Sequence, residues 1–244
     1  MAATDPVASG NRLIDSLPQS DRDALLALAK QVTLETGEVL AEADEPLRYA
    51  YFPRNGMVSI VTVVEDGTMV ESGTIGNEGM FGIQIVLGAE SSPNLRALAQ
   101  IRTDAMRVEA DEFRSLALNA STLQSRLLRY SHVLLVQAAQ AVLCNRRHSA
   151  EQRCAKWLLF AQDRMGTDRI DLTQEFLSQV LGVRRASVTT VANALRKQGF
   201  IAYHRGSITI LDRAGLESAS CGCYAMIRQE YDRFLKATGV SANG

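Results

Sequence analysis

Between Glu175 and Asp212 every Asp, Glu, Lys or Arg is basic: Arg184, Arg185, Arg196, Lys197 and Arg205. In a chain of formal net charge −1 this is a concentrated positive region. Arg184, Arg185, Ser187, Thr189, Thr190 and Asn193 fall on one side of a helical pattern. They are donors and short polar groups rather than the Glu/Lys mixture of a solvated helix. An arginine near a helix N-terminus can reach guanine O6 and N7 together, worth about 1–3 kcal/mol of discrimination. Arg184, Arg185, Ser187, Thr189 and Thr190 are therefore the expected base readers. Thr173, Gln174, Asn193, Lys197 and Arg205 are the expected phosphate contacts, which set register without reading sequence. The competing reading is a helical hairpin with a chance basic face, and turn, wing and charge together weigh against it.

Such donors need a frame. Thr173 is a candidate N-cap for a helix over 174–181 with Phe176, Leu177 and Val180 on its apolar side. Gly182-Val183 then makes a tight break suited to a left-handed residue. A second helix follows over 185–198, with Val188, Val191, Ala192 and Leu195 facing inward. Helix, short turn and helix make a helix-turn-helix. Beyond Gly199, the runs Phe200–Tyr203 and Ile208–Leu211 read as a hairpin, the wing, turning at 204–207. Upstream, 151–165 is helical, and Ile170–Leu172 is extended.

From Ser121 to Arg147 no Pro or Gly interrupts a helical pattern. Leu127, Ser131, Leu134, Ala138, Ala141 and Asn145 have the alternating spacing of a coiled-coil seam. A second stripe through Leu128, Leu135 and Val142 competes with it, and a helix packed on its own β domain satisfies the same pattern. A further helix over 216–235 either packs on the DNA-binding unit or extends the dimer. The first half has another grammar. Strand-like runs at 38–40, 50–52, 57–64 and 68–72 alternate with turn signals, Asp66-Gly67 marks a hairpin, and the even spacing suggests a sandwich or small barrel. Ser20-Asp21 looks like the cap of a short helix before Leu25. The expected class is α+β, with a jelly-roll-like β-barrel, a long dimerisation helix and a C-terminal winged helix-turn-helix. The expected boundaries are 12–118, 119–148 and 149–215, with a C-terminal helix and tail over 216–244.

The chain has 244 residues, 46% of them hydrophobic and 22% charged, which suits one large or two modest domains. It is not a uniformly basic, histone-like binder. No apolar run approaches the ~20 residues of a membrane span, and the opening residues lack the pattern of a secretory signal. A cytoplasmic protein without a membrane partner is expected. Four cysteines are too few for a disulfide framework in a chain this long. Cys221 and Cys223 form a C-x-C with no second ligand pair at zinc spacing, so small thiols and no metal are expected. Cys144 reads as a small core residue or as one facing its twin in a dimer. His132 and His148 are placed on polar faces, His204 near a phosphate, and Trp157 in the core. No P-loop, G-x-S-x-G or H-E-x-x-H occurs, so no enzymatic activity and no cofactor are expected.

The order of β-rich half, long helix and winged helix-turn-helix resembles the Crp/Fnr family of bacterial transcription regulators. The residues that carry the likeness are LTQEFLSQVLGVRRASVTTVANALRKQGFIAYHRGSITILD over 172–212, GNEGMFG over 76–82 and EQRCAKWLL over 151–159. The resemblance covers roughly residues 12–215. It implies a homodimer on a roughly palindromic stretch of double-stranded DNA, with RNA polymerase as a further partner and a small-molecule effector of unspecified identity.

It also implies where this chain departs. Members that bind a cyclic nucleotide carry Gly-Glu and, about ten residues on, Arg-Ser. Here Gly82 is kept, but Ile83 stands at the Glu position and Pro93 and Asn94 at the Arg and Ser positions. The paired hydroxyls of the central helix fall on Ala138 and Ala139. Arg96 could replace the missing arginine only if the loop slipped. The residual effector pocket would be Gly79, Phe81, Gly82, Ile83, Asn94 and Leu95, and cyclic AMP binding in the usual manner is not expected. The cluster-binding N-terminal cysteines of oxygen-sensing members are missing. So is a haem-ligating His or Cys in the β half. Of the usual reading triad only Arg185 is kept, with Ala186 and Thr190 at the other positions, which implies a different operator with a guanine under Arg185. Two other readings remain: a cyclic-nucleotide receptor whose ligand gates DNA binding, and an oligomerisation module whose basic helix docks an acidic protein.

Overall fold

The computed structural model describes residues 8–237 except 66–68, 90, 173 and 205, and the side chains of 174 and 175 are left out. The chain opens with α1 (Arg12–Asp15) and α2 (Gln19–Leu28). Asn11, rather than any Ser or Thr, is the first cap: its side chain accepts from the Ile14 N–H and donates to the carbonyls of Pro53 and Gly79. The Ser20 cap is not realised, since α2 begins at Gln19 behind Pro18 with no side-chain cap.

Seven strands follow: β1 (Lys30–Leu34), β2 (Val39–Ala41), β3 (Tyr49–Pro53), β4 (Met57–Val63), β5 (Met69–Ile75), β6 (Leu95–Ile101) and β7 (Thr103–Glu109), with the single turn α3 (Gln84–Leu87) between β5 and β6. They form two antiparallel sheets, β1-β7-β3 and β2-β6-β4-β5. Neither closes on itself, so the expected barrel is corrected to a pair of open sheets. β4 and β5 pair antiparallel, as a hairpin requires. The Asp66-Gly67 turn itself lies outside the described residues.

α4 (Ala110–Asn119) leads into α5 (Ser121–Arg147), whose limits match the uninterrupted pattern in the sequence. By length and composition α5 is apolar enough to cross a membrane, which departs from the expectation that no run comes close. Yet Leu123, Leu127, Tyr130 and Val133 are buried in the protein's own core. Buried Arg126 donates to the carbonyls of Leu235 and Ala237, so this face is committed to protein. The solvent side carries Leu128, Leu135 and Val142, all exposed. The second of the two phases read from sequence is thus wholly outward, while of the first Leu127 is buried and Ala138 and Asn145 are exposed. Leu127 cannot belong to a seam because it is fully buried.

α6 (Ala150–Met165) starts at a capping box in which Ser149 and Gln152 satisfy each other's backbone N–H. Then come β8 (Arg169–Asp171), α7 (Gln174–Leu181), α8 (Arg185–Lys197), β9 (Ile201–His204) and β10 (Ser207–Ile210). β8 joins the wing as a third strand, in the order β8-β10-β9. The single helix expected over 216–235 is two, α9 (Arg213–Ala219) and α10 (Cys223–Lys236), broken at 220–222. The boundary expected after residue 215 falls inside α9. Its start is held by Asp212, which accepts from the Gly215 N–H. α10 lies along α5 through Tyr130–Phe234 and Tyr130–Tyr231 ring contacts.

Candidate nucleic-acid interface and the junction behind it

α8 is sharply two-sided. Val188, Val191, Ala192 and Leu195 are buried, whereas Arg184, Arg185, Ser187, Thr189 and Thr190 are exposed. The turn before it uses Gly182 at φ +57°, a conformation that favours glycine. Arg184 sits at the N-cap, so both expected base-reading arginines stand at the helix N-terminus. Asn193 is half-buried and Lys197 is exposed in the last turn. Gln174 begins α7, but its side chain is not described, and Thr173 and Arg205 lie outside the described residues. The wing carries exposed His204. The structure thus brings the five base-reading candidates onto one open face.

The six effector-pocket candidates differ in exposure. Gly79, Phe81, Gly82 and Ile83 are buried, while Asn94 is exposed and Leu95 half-buried. Tyr130 of α5 fills the space beside Gly79 so closely that a Cβ there would collide with its ring. The Tyr130 hydroxyl donates to the Met80 carbonyl and accepts from the Met80 N–H, both near 3 Å. Arg96 pairs with Glu42 at 2.7 Å, so it is not held ready for a phosphate.

The Gly76–Gly82 stretch instead seats the DNA-binding half. Arg164 of α6 lies against Gly76, where a Cβ would overlap its side-chain stem. Its guanidinium pairs with Glu78 at 2.6 Å and donates to Thr74 Oγ1 at 2.6 Å and to the Thr74 carbonyl at 3.1 Å. Both side chains are almost wholly buried, at 3% and 7% exposure. Alongside, Trp157 Nε1 donates to Gln100, and Gln100 and Ser59 both donate to Glu71 Oε2. Burial raises the Glu71 carboxyl above its ordinary range, against the opposing pull of Lys156 and these hydrogen bonds. The cleft among β5, α5, α6 and α7 encloses only about 40 Å³, and Glu71, Gln137, Trp157 and Leu181 line it.

Neither Glu78 nor Arg164 was among the expected site residues. A Glu inside a Gly-rich turn and a lone Arg near the end of an amphipathic helix were the available signals. The structure also gathers side chains that the sequence reading kept apart. Cys144, His148, Cys221 and Cys223 bring their ligand-capable atoms within 4.8 Å of one another. The second ligand pair that the C-x-C lacks in sequence is thus supplied by α5.

A family model of the cyclic nucleotide-binding domain matches residues 31–120. One of the Crp-like helix-turn-helix domain matches residues 152–219. Together they take in more than half of the chain. No curated protein sequence matches it. Among solved structures, FixK2 from Bradyrhizobium japonicum is similar at 22% identity and TM-score 0.65, over 79% of this chain and 98% of that one. A Crp/Fnr-family transcriptional regulator of Eubacterium rectale is similar at 17% identity and TM-score 0.61, over 87% and 99%. The cyclic di-GMP-responsive regulator CLP of Xanthomonas campestris is similar at 12% identity and TM-score 0.63, over 79% and 99%. At these identities the likeness is one of fold.

Proposed function

This chain belongs to the Crp/Fnr family of transcriptional regulators, and we propose that it is a cytoplasmic, homodimeric regulator that reads a roughly palindromic operator without a cyclic nucleotide. The observation that carries this reading is the division of α8. Its buried residues are all apolar, and its open face holds arginines and hydroxyls at the N-terminal end. Arg185 is the residue assigned to a guanine, and Ser187, Thr189 and Thr190 to neighbouring base edges. Asn193 and Lys197 flank that face and serve phosphates, as do Thr173, Gln174 and Arg205 on the sequence argument alone.

The exposed stripe Leu128, Leu135 and Val142 on α5 supports the homodimer, since a second copy would remove it from water. Two reading helices related by a two-fold axis would enter successive major grooves about 34 Å apart. Independence from cyclic nucleotide is supported by Arg96 being paired with Glu42 and by the packing of Gly79 to Ile83. A buried cyclic phosphate without an arginine loses its charge-assisted hydrogen bonds.

Selection of bound sequences from a random DNA pool, with no added ligand and near-physiological salt, tests the proposal. Enrichment of a palindrome is the expected result. Salt-sensitive binding without enrichment would show that an effector is obligatory. The match of residues 31–120 to the cyclic nucleotide-binding domain favours that second reading, in which a small molecule gates DNA binding. Calorimetry with cyclic AMP and cyclic di-GMP separates the two, and tight stoichiometric binding of either would overturn the ligand-free reading.

A further inference from the structure

Where α5 ends, α10 begins beside it, and the two ends share a compact group of soft ligands. Cys144 lies in the last turns of α5 and His148 caps that helix, one turn further on. Cys221 lies in the break after α9, and Cys223 is the first residue of α10. The three cysteines are buried, at 1%, 3% and 2% exposure, and pack as a cluster of their own. His148 is half-buried. Cys144 Sγ and Cys221 Sγ are 3.6 Å apart, and Cys223 Sγ and His148 Nδ1 are also 3.6 Å apart.

These separations can be set against known coordination geometry. A tetrahedral zinc with Zn–S of about 2.3 Å and Zn–N of about 2.0–2.1 Å places sulfurs about 3.8 Å apart and sulfur and nitrogen about 3.5 Å apart. A disulfide would need about 2.05 Å between sulfurs, and all four cysteines of the chain are free. We propose that Cys144, His148, Cys221 and Cys223 form a closed Cys3His site for one thiolate-preferring divalent ion, zinc foremost. Binding forms three metal–sulfur bonds and one metal–nitrogen bond and releases the protons of whichever thiols were still protonated. With three thiolates the bound site carries one net negative charge, and Lys156 supplies a positive charge beside Cys144.

Four protein ligands leave no open position, so the site is structural rather than hydrolytic. It ties the C-terminal end of the long α5 to the start of α10, across the bend at Ser149 where the DNA-binding half begins. Zinc would therefore hold α10 in place along α5 at the point where the two halves of the molecule meet.

The test uses the full-length chain, purified without a metal-binding tag or chelator. Elemental analysis after growth with Zn²⁺ should find one zinc per chain. Anaerobic titration of the metal-free, reduced chain with Co²⁺ should give thiolate-to-cobalt charge transfer and the intense visible bands of a tetrahedral ion. Zn²⁺ should bleach both at one equivalent. Cys144→Ser and Cys223→Ser should lower metal affinity by at least about tenfold, a loss that mutation of mere outer partners already reaches. Cys154→Ser, outside the cluster, should keep full stoichiometry. His148→Cys guards against variants that simply misfold, because it should retain the ion and shift the cobalt bands as a fourth thiolate replaces nitrogen. Cobalt bands of octahedral type, or bands unmoved by His148→Cys, would overturn the assignment. So would a metal-free chain whose thiols all titrate as reduced after growth in Zn²⁺. A Cys144–Cys221 disulfide under the same conditions would replace the metal site with a redox pair.

Discussion

The outward face of α8 and the seat of Arg164 on the Gly76–Gly82 turn both depend on arginine, and they use it in opposite ways. Arg184 and Arg185 stand exposed at a helix N-terminus, on the side of α8 turned away from its apolar packing. Arg164 is dehydrated and held by a buried carboxylate, a hydroxyl and a carbonyl. The first arrangement lies at the surface, away from the apolar side of α8. The second lies inside the protein, where it ties α6 to the Thr74–Glu78 segment, and its loss would weaken that joint. The Gly76–Gly82 stretch packs closely against Arg164 and Tyr130.

Removing one member of the buried pair should give the largest effect. Glu78→Ala leaves the Arg164 charge without its carboxylate and the Gly76 N–H without its acceptor. Breaking a buried pair in this way costs about 3–5 kcal/mol, which denaturant unfolding would register as a large drop in midpoint. The comparison is sharpened by the double change Glu78→Gln with Arg164→Met. It removes both charges together and should recover most of the stability, because desolvation offsets much of a buried pair's attraction. A Glu78→Ala chain as stable as the parent would mean that the seat is not what joins the halves. Next in size comes Gly79→Ala. Its methyl meets the Tyr130 ring, and overpacking of this kind costs about 1–3 kcal/mol. Thermal unfolding reads that loss, while operator preference of the surviving folded fraction should not change.

Arg185→Ala inverts this pattern. Its stability should stay within about 0.5 kcal/mol of the parent, as for most surface changes. Discrimination at one base position per half-site should fall by about 1–3 kcal/mol, or roughly fivefold to 150-fold. Competition binding with single-base operator variants measures the loss. If preference at every position survives, α8 is not the reading helix.

The two regions were also unequally legible in the sequence. The spacing of Val188, Val191 and Leu195 against Arg185, Thr189 and Thr190 is local, so helix, face and chemistry could all be read within one short segment. The limits of α5 were equally plain, because nothing between Ser121 and Arg147 interrupts the pattern. Which stripe of α5 faces out was not plain, since that depends on α10 and the β sheets covering Leu127 and Tyr130. Glu78 and Arg164 are 86 residues apart and Cys144 and Cys221 are 77 apart. No period links such positions, and only the folded chain brings them together. Sheet closure escaped for the same reason, because strand spacing cannot say which edges pair.

The smallest expected effect lies between the two regions, at Glu71. Dehydration raises its carboxyl above the ordinary value of 4.5, opposed by Lys156, Ser59 and Gln100. A carboxyl raised on folding favours the native state fully only below its unfolded pKa. That contribution is lost as pH climbs through the higher folded value, so above it the native protein carries a charge it would hold more cheaply unfolded. Glu71→Gln removes the titration while keeping an oxygen for the two donors, since Ser59 Oγ and Gln100 Nε2 both address Oε2. The variant should therefore gain on the parent as pH rises from about 4 to about 8, and the two should converge at the acidic end. Urea midpoints across that range give the difference directly. A gap that ignores pH would mean that the carboxyl is no more costly folded than unfolded. A gap that widens toward acid would mean that the Trp157–Gln100–Glu71 chain needs its charge.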